Sequence, residues 1–378
     1  MNKAIVLGSD AVNALGLVQS LGREGVYVIA VLDCKESVLI SKSKYAKEIV
    51  NVTNFEQGID IISEKYLFEE PAVIFPAGDG AALAMENSSS RLRGKFLFEH
   101  IVGEKSIEFY MQKQNQISIA KEFNLNVPLS IRVRKDGEAP DKMVYPCIVK
   151  PLVSCEGDKR DIHIAEDKAE LNEILKNKIN FSSEVIVQQY IDKDYEYDIM
   201  GCAYKNHEIY IPLSNRMVKF NRNLQDTSTV CYIEPLDSEI AIEVLKIKKL
   251  LAEIGYVGLF SVEFMHCKSD DKIYFTEINF RNDGENSFIV HCGVNLPFLH
   301  YQDLCGFEKK NYSPITKSKK YIWEGIHFSG LIKKDQSFMN WLSDFKGVDG
   351  FLYYFKDDKK PFFYQFANKL LERLRFKK

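Results

Sequence analysis

Glu263 and Glu277 lie in two adjacent segments that are each predicted to form a strand, and their side chains could share a cation. The segments cover Gly258–Cys267 and Lys272–Phe280, and the short polar turn between them predicts a β-hairpin. In the register that we favour, Glu263 faces Glu277, and Asn279 follows on the same face. Opposed carboxylates repel unless a cation lies between them, and carboxylate and amide oxygens suit Mg²⁺. The residues therefore predict a magnesium site, with a solvent-facing hairpin whose acids are exposed as the open alternative.

The chain carries, in order, the motifs Tyr145–Pro151, Gly258–Glu263 and Glu277–Arg281, and together they resemble the ATP-grasp superfamily. Glu277–Arg281 resembles the metal-binding E-x-N-P-R motif, with Phe280 in place of the proline. Gly258–Glu263 resembles the preceding G-x-x-x-V-E strand, which carries the other acidic ligand. Tyr145–Pro151 resembles a P-x-x-V-K-P strand whose lysine contacts the ATP phosphates, and Lys150 takes that role. The order of these motifs makes the resemblance more specific than any one of them.

The remaining nucleotide-binding roles are implied by the resemblance alone. Lys113 corresponds to an earlier family lysine at the start of a helix. Val187–Ile191 resembles the hinge whose backbone binds adenine, and Glu196 corresponds to the acid that binds the ribose. Arg216 lies in a basic stretch that often lines the phosphates in this family, although a solvated face is its default interpretation. The expected nucleotide-binding residues are Lys113, Lys150, Ser154, Lys159, Gln188, Gln189, Tyr190, Ile191, Glu196 and Arg216.

The loop expected to cover the phosphates departs from the family pattern. Such a loop is usually rich in glycine, because its backbone N–H groups approach the phosphates closely. Val153–Lys159 has one glycine and two acids, and Ser154 and Lys159 remain as its expected phosphate contacts. This departure bears on the turnover rate more than on the fold.

The implied reaction converts a carboxylate into an acyl phosphate, because oxide is a poor leaving group and phosphate a good one. An amine then attacks the acyl carbon and forms an amide. Lysines and Mg²⁺ would neutralise the charge of the transferred phosphoryl group, with Mn²⁺ as an alternative metal. Arg281 would stabilise negative charge in both steps, so Lys150 and Arg281 are the expected catalytic residues.

The N-terminal hundred residues read as a small doubly wound domain, since short buried strands alternate with helix patterns. Gly8 follows the first strand, but Asp10 and Asn13 stand where a G-x-G-x-x-G fingerprint needs glycines. We therefore interpret Gly8 as a tight strand-to-helix turn. In ATP-grasp relatives this region shapes a substrate site, so Asp10, Asn13, Asp79 and Arg281 are the expected substrate contacts.

Within the superfamily, the chain is most similar to D-aspartate-ligase-like carboxylate–amine ligases. The similar segments are Ser41–Tyr45, Phe75–Asp79 and Gly293–Pro297. Such enzymes attach amino acids or amines to cell-wall or surface-polysaccharide precursors. This step of the resemblance depends on fewer residues than the superfamily step.

The predicted fold class is α/β, with α+β character in the central part. A small Rossmann-like domain precedes an ATP-grasp fold of two α+β subdomains. We predict a pre-ATP-grasp substrate domain at 1–105, a small lid subdomain at 106–190, a subdomain with the metal site at 191–305, and a C-terminal extension at 306–378.

Composition excludes several protein classes. The net charge of −3 gives no electrostatic footprint for nucleic acid, and no C-x-x-C pair indicates a zinc ribbon or dithiol. The N-terminal MNKAIVLGSD reads as a strand rather than a signal peptide, and we expect a cytoplasmic enzyme. The expected partners are ATP, a small carboxylate and an amine. Membrane contact is not expected, because the basic helix pattern at Phe363–Lys378 favours a helix packed on the body with its lysines in water. Membrane contact through that helix is the less favoured alternative, and a homodimer is left open.

Two other functions are weighed against the ligase. A biotin-carboxylase-like enzyme would use bicarbonate and would normally need a biotin carrier, which this chain lacks. A nucleotide-binding module without catalysis would account for the glycine-poor loop. Two facing acids argue against that module, because binding without catalysis gives no reason to keep them.

Overall fold

A computed structural model describes residues 1–152, 162–180, 183–221, 227–236, 238–313, 315–332 and 337–375. Within these residues the chain divides into two compact units. The first unit comprises Met1–Ile107, Asp198–Ser261 and Asn279–Lys378, and the second comprises Glu108–Tyr197 and Val262–Ile278. The two units are described separately below.

The strands are numbered in chain order. They are β1 (Ala4–Gly8), β2 (Val28–Asp33), β3 (Ala46–Val52), β4 (Ala72–Pro76), β5 (Phe96–Phe98), β6 (His100–Ile101), β7 (Ser130–Arg134), β8 (Cys147–Pro151), β9 (His163–Ala165), β10 (Glu184–Gln189), β11 (Lys193–Ala203), β12 (Ile209–Tyr210), β13 (Ser214–Asn221), β14 (Thr227–Glu234), β15 (Tyr256–Cys267), β16 (Lys272–Asn279), β17 (Lys319–Ile322) and β18 (Gly350–Phe351).

The helices are numbered in the same way, with a short 3₁₀ helix at Ile40–Lys42. They are α1 (Val12–Arg23), α2 (Phe55–Lys65), α3 (Asp79–Asn87), α4 (Ser89–Leu92), α5 (Ile107–Met111), α6 (Lys113–Glu122), α7 (Lys168–Asn177), α8 (Ser238–Glu253), α9 (Asn286–His291), α10 (Leu296–Cys305), α11 (Glu324–Ile332), α12 (Phe338–Ser343) and α13 (Lys360–Arg375).

The first unit begins with a parallel sheet in the order β3-β2-β1-β4-β5. Alternate residues of β1 enter two separate cores, with Ala4 and Val6 in one and Ile5 and Leu7 in the other. Both faces of the sheet are therefore buried, as is usual for parallel sheets covered by helices. Strand order reverses between β1 and β4, which leaves a crevice at their carboxyl ends.

A second sheet in the first unit has the order β15-β11-β13-β14-β17-β18. β13 pairs antiparallel with β14, and β14 pairs antiparallel with β17. α8 follows β14, and its stripe Ile240, Val244, Ile247 and Leu251 is buried. Gly255 takes φ +68° directly after this helix, a conformation that suits glycine at the end of a helix.

The second unit holds an antiparallel sheet in the order β7-β10-β8-β9. Its core joins Val149 of β8 and Val187 of β10 to Leu171 and Ile174 of α7. The carboxyl half of β15 and most of β16 form a hairpin in the same unit, with Phe264 and Phe275 edge to face at 6.0 Å between ring centroids. The central β8 and this hairpin carry the predicted nucleotide and metal residues.

The predicted fold class is confirmed, including the parallel N-terminal sheet. The strands predicted at Gly258–Cys267 and Lys272–Phe280 are observed at Tyr256–Cys267 and Lys272–Asn279. The four-part domain division stays a prediction. Among the described helices, none has the length and apolarity needed to cross a membrane.

Candidate functional site

A glutamine side chain fixes the start of α6 against β16 in the second unit. The Gln116 amide nitrogen donates to the Ile278 carbonyl at 2.8 Å, and the Ile278 amide donates to the Gln116 side-chain oxygen at 2.8 Å. Lys113 lies three residues earlier, on the same helix face. Its ammonium lies 3.7 Å from a carboxylate oxygen of Glu277, the residue that precedes Ile278. The backbone pairing therefore positions the lysine over the acid.

Lys150 of β8 joins this group. Part of its side chain stays exposed, but its ammonium lies deep among protein atoms. Burial and then the neighbouring charge of Lys113 lower the pKa of Lys150, Glu277 and Glu263 act in the opposite direction, and the net pKa is about 8. Two lysines and two glutamates thus converge in one electrostatic group, which we name the Lys–Glu cluster (Lys113, Lys150, Glu263 and Glu277).

The donor set of this cluster bears on the predicted magnesium site. Among the residues that the structure describes, no group of three or more His, Cys, Asp or Glu side chains is arranged to bind a metal. That finding is compatible with Mg²⁺, which binds through one or two carboxylates and keeps waters and phosphate oxygens as its other ligands. The two glutamates fit such a site, and their role as metal ligands stays a prediction.

Asn279, the third predicted ligand, is described with the first unit. Its amide nitrogen donates to the Ser261 hydroxyl at 3.3 Å, and its side-chain oxygen accepts from Arg281 at 3.4 Å. The side chain is buried. Asn279 is therefore held in a fixed orientation by its neighbours on both sides.

Arg281 is held by two acids. Its Nε donates to Asp79 at 2.8 Å, and its Nη1 donates to Asp283 at 3.1 Å and to the Asn282 carbonyl at 3.3 Å. Burial by itself would lower the pKa of Arg281, but the two carboxylates outweigh it, so the pKa is raised and the charge is permanent. We name Arg281, Asp79 and Asp283 the arginine cluster.

The arginine cluster lies at the crevice between β1 and β4. Asp79 is the first residue of α3, directly after β4. Asn13 is the second residue of α1, which follows β1, and its backbone carbonyl accepts from Asn282 at 3.3 Å. A Cβ added to Gly284 would come within 2.5 Å of the Asn13 side-chain oxygen, so glycine allows the close approach. The predicted substrate residues Asn13, Asp79 and Arg281 are thus brought together.

Asp10 lies at the same crevice but has a different task. Its carboxylate accepts from the Ser37 hydroxyl and from the backbone amides of Val38, Leu39 and Ile40, at 2.7 to 3.1 Å. The carboxylate therefore holds the segment after β2 in place. The carboxylate thus has protein donors, and the role of Asp10 as a substrate contact stays a prediction.

Comparison with known proteins agrees with this geometry. Residues 118–287 match the model of the ATP-grasp domain, a stretch that includes Lys150, Glu263, Glu277 and Arg281. Residues 118–287 therefore form an ATP-grasp domain. The recognition that rested on short motifs is thereby confirmed, and Lys113 lies just ahead of the matched residues.

Curated relatives of the chain are distant. A formate-dependent phosphoribosylglycinamide formyltransferase from a Nitratiruptor species is 25% identical over 224 residues, which are 53% of this chain and 55% of the relative. A D-alanine–D-alanine ligase from a Sulfurovum species is 27% identical over 151 residues, 38% of this chain and 42% of the relative. The chain thus spans about half the length of these two relatives.

Solved ATP-grasp structures share the fold over most of the chain. L-amino acid ligase from Bacillus licheniformis superposes with a TM-score of 0.62 at 17% identity, over 84% of this chain and 79% of its own. The biotin carboxylase domain of Hydrogenobacter thermophilus 2-oxoglutarate carboxylase, a dimer solved with MgADP, ADP and bicarbonate, gives 0.65 at 18% identity, over 85% and 74%. The prediction of ATP and Mg²⁺ as cofactors is confirmed at the level of the family.

The predicted adenine hinge lies at the end of β10. The Gln189 amide donates to the Leu129 carbonyl at 2.8 Å, and the Tyr190 amide donates to the Pro146 carbonyl at 3.0 Å. The Gln188 side chain donates to the Ser130 hydroxyl at 2.7 Å. Adenine contacts from Gln189 and Tyr190 would therefore use carbonyl oxygens or side chains rather than these amides. The role of Gln188–Ile191 stays a prediction.

The side chains of Glu196 and Arg216 are hydrogen-bonded to other residues of the protein. Lys193 donates to Glu196 at 2.7 Å. Arg216 binds Glu234 through two nitrogens, at 2.7 and 3.0 Å. A bidentate carboxylate occupies the face with which a guanidinium would bind phosphate, so a phosphate contact by Arg216 would require that pair to open. Ser154 and Lys159, the other predicted phosphate contacts, lie outside the described residues.

Sequence reasoning missed Gln116 and Asp283, which position the two clusters. Gln116 follows Lys113 at helical spacing, and Asp283 stands two residues after Arg281. It also missed buried Glu99, which accepts from the Leu259 amide at 3.1 Å and whose pKa burial raises well above its ordinary value. The helical spacing of Lys113 and Gln116 is the one signal that could have pointed to the glutamine.

Proposed function

We propose that the protein is an ATP- and Mg²⁺-dependent carboxylate–amine ligase that forms an amide through an acyl phosphate. A carboxylate oxygen attacks the γ-phosphorus, and the bond from that phosphorus to the β–γ bridging oxygen breaks to release ADP. The amine nitrogen then attacks the acyl carbon, the acyl–phosphate bond breaks, and the amine proton leaves with phosphate or solvent. ADP, phosphate and the amide are the products.

The observation that carries this proposal is the Lys–Glu cluster. The pKa of Lys150 falls to about 8 through burial and through the neighbouring charge of Lys113. A bound polyphosphate would supply the negative charge that such a pair favours. Glu263 and Glu277 would hold Mg²⁺, which would supply positive charge that neutralises the phosphates.

Arg281 is the proposed catalytic partner in the first unit. Asp79 and Asp283 fix its guanidinium on two sides, so little conformational freedom is lost when it binds an anion. We propose that Arg281 binds the reacting carboxylate and stabilises the charge that develops on it. Asn13 and Asp79 are the proposed contacts for the rest of the substrate.

The substrate class is a finer proposal. The resemblance to D-aspartate-ligase-like enzymes favours an amino acid or amine joined to a cell-wall or surface-polysaccharide precursor. D-alanine–D-alanine ligase and L-amino acid ligase are names that support amino acids, whereas the formyltransferase name points to formate and a ribonucleotide. A precursor acceptor has no support among these names and rests on the sequence resemblance. Amino acids and formate are therefore the first substrates to test.

A magnesium-dependent ADP-release assay tests the proposal. Wild type would be compared with Glu277→Ala across a panel of D- and L-amino acids, formate, bicarbonate, amines, amino-sugar and uronic-acid acceptors. ADP release that needs both a carboxylate and an amine, and that Glu277→Ala abolishes, is the expected result. Glu184→Ala is the matched control, because Glu184 is an ion-paired strand glutamate of the same unit.

The alternatives give different results in the same assay. ADP release with bicarbonate and no amine would indicate a biotin-carboxylase-like reaction. ATP binding with no ADP release for any pair would reject the ligase proposal for this panel and favour a nucleotide-binding module. Equal loss of activity in Glu184→Ala and Glu277→Ala would remove the assigned role of Glu277.

A further inference from the structure

Five large apolar side chains lie exposed on two helices of the C-terminal region. They belong to α12 and α13, and their exposed fractions range from 49% to 71%. We name them the C-terminal apolar surface, composed of Phe338, Met339, Leu342, Phe363 and Phe366. Single exposed apolar residues are ordinary, but a group of this kind marks an interaction site.

Aromatic contacts join the two helices into one surface. The Phe338 ring lies 5.9 Å from Trp341, Trp341 lies 6.2 Å from Phe328 of α11, and Phe328 lies 5.5 Å from Phe366. These distances suit aromatic packing. The exposed residues of α12 and α13 are therefore connected through a shared aromatic layer rather than scattered.

The surface is flanked by positive charge. Residues 356–378 contain eight Lys and Arg against three Asp and Glu, while the whole chain carries a net charge of −3. Lys356, Lys359 and Lys360 are exposed at the start of α13. The intervening acids are used within the protein, since Asp357 pairs with Arg23 and Asp358 accepts from Gln19. The described start of α13 thus exposes three lysines, in a segment whose sequence is net positive within a protein of net negative charge.

We propose that this face docks the enzyme on an anionic lipid bilayer surface. Aromatic and aliphatic side chains enter the headgroup region and lysines contact the lipid charges, which is the usual composition of interfacial helices. A second copy of the chain is the less favoured occupant, because a twofold contact would bring two like-charged basic faces together. The enzyme would lie on the membrane and act on a substrate available there.

Vesicle flotation of the full-length protein tests the docking. The probes are neutral phosphatidylcholine vesicles and vesicles in which phosphatidylglycerol replaces part of the phosphatidylcholine. We expect flotation with the anionic vesicles, little with the neutral ones, and weaker binding as salt is raised. Met339→Ser combined with Phe363→Ser should reduce binding by about tenfold or more. Lys359→Gln combined with Lys360→Gln should reduce it by about tenfold.

Matched controls separate docking from general stickiness. Ile242→Ser with Leu245→Ser removes two equally exposed apolar side chains of α8, and Lys35→Gln with Lys95→Gln removes two exposed charges elsewhere. Both control variants should float as wild type does. Circular dichroism melting of every variant would show whether it is folded.

Three results would overturn the docking. They are absence of flotation with anionic vesicles, equal binding by the Met339/Phe363 variant and wild type, and a dimer in light scattering that this variant converts to a monomer. The last result would assign the face to contact between copies of the chain. ADP release in solution does not depend on this face, so failure of docking is distinguishable from failure of the ligase proposal.

Discussion

The Lys–Glu cluster and the arginine cluster are both built from ionic side chains with little exposed surface, but their charges are satisfied to different degrees. Arg281 makes hydrogen bonds of 2.8 and 3.1 Å to Asp79 and Asp283, and its pKa is raised. Lys113 stands 3.7 Å from Glu277, and the pKa of Lys150 is lowered to about 8. The charge of Arg281 is balanced by carboxylates of the protein, whereas the Lys–Glu cluster would be stabilised by the negative charge of a ligand. A site that binds a polyanion is expected to look like the second.

The largest expected effect is loss of activity without loss of stability at Lys150. Lys150→Met should lower kcat/KM for ATP by about 10³-fold, because a preorganised positive charge is removed from the phosphates. The melting temperature should stay the same or rise, since the ammonium is destabilised by burial and by Lys113. Steady-state kinetics and thermal melting measure the two effects.

Lys176→Met is the control for that change, because Lys176 is an exposed lysine of α7 in the same unit. A strong drop in the melting temperature of Lys150→Met would contradict the inference that the charged Lys150 ammonium destabilises the folded protein.

Arg281 should behave in the opposite way. Arg281→Met should lower kcat by about 10²-fold and also destabilise the protein by about 1–3 kcal/mol, because Asp79 and Asp283 lose their partner. Urea unfolding measures the free energy of unfolding. Arg91→Met, which removes an exposed partner of Asp60, serves as the control. Unchanged stability in Arg281→Met would show that the acids do not depend on the arginine.

Gln116 tests whether position matters within the Lys–Glu cluster. Gln116→Leu keeps the volume but removes both hydrogen bonds to Ile278, so Lys113 is held less firmly over Glu277. We expect KM for ATP to rise by about tenfold with a smaller change in kcat. Gln114→Leu, two residues away on the same helix, is the comparison variant. Equal KM values for both variants would remove the positioning role.

The smallest expected effect is a pH dependence. Lys150 has a lowered pKa of about 8, so its positive charge is present below that value and is lost as the pH rises through it. The charged fraction should fall about threefold between pH 7.5 and 8.5, and the affinity of the free enzyme for ATP with it. Isothermal titration measures the affinity. Lys150→Arg should flatten the profile, and an identical profile in that variant would exclude Lys150 as its source.

Local patterns predicted the elements of the Lys–Glu cluster well. The period-two alternation of β15 and β16, the lysine strand β8 and the helix that begins at Lys113 all follow from residues close in sequence. The same chemistry of short motifs identified Glu263, Glu277 and Lys150. These features depend on side chains within a few positions of one another, which is the range that sequence patterns describe.

Contacts between distant segments could not be predicted in this way. Arg281 and Asp79 are separated by 202 residues, and Gln116 and Ile278 by 162. The protein contacts of Asp10 escaped prediction for a related reason. Its carboxylate accepts hydrogen bonds from backbone amides 28 to 30 residues away. Such bonds do not depend on the residue types of that segment, so the sequence does not indicate them. The acid therefore looked available when read from sequence alone.

The pairing of Gln116 with Ile278 also has a consequence for how the family can vary. The Gln116 side chain binds the main-chain carbonyl and amide of residue 278, as a neighbouring strand would. These hydrogen bonds do not depend on which side chain residue 278 carries. Substitutions at 278 that keep an apolar, strand-forming residue should therefore be tolerated, while position 116 should accept few replacements. Among homologous sequences, the residue at 278 should vary and the residue at 116 should be conserved.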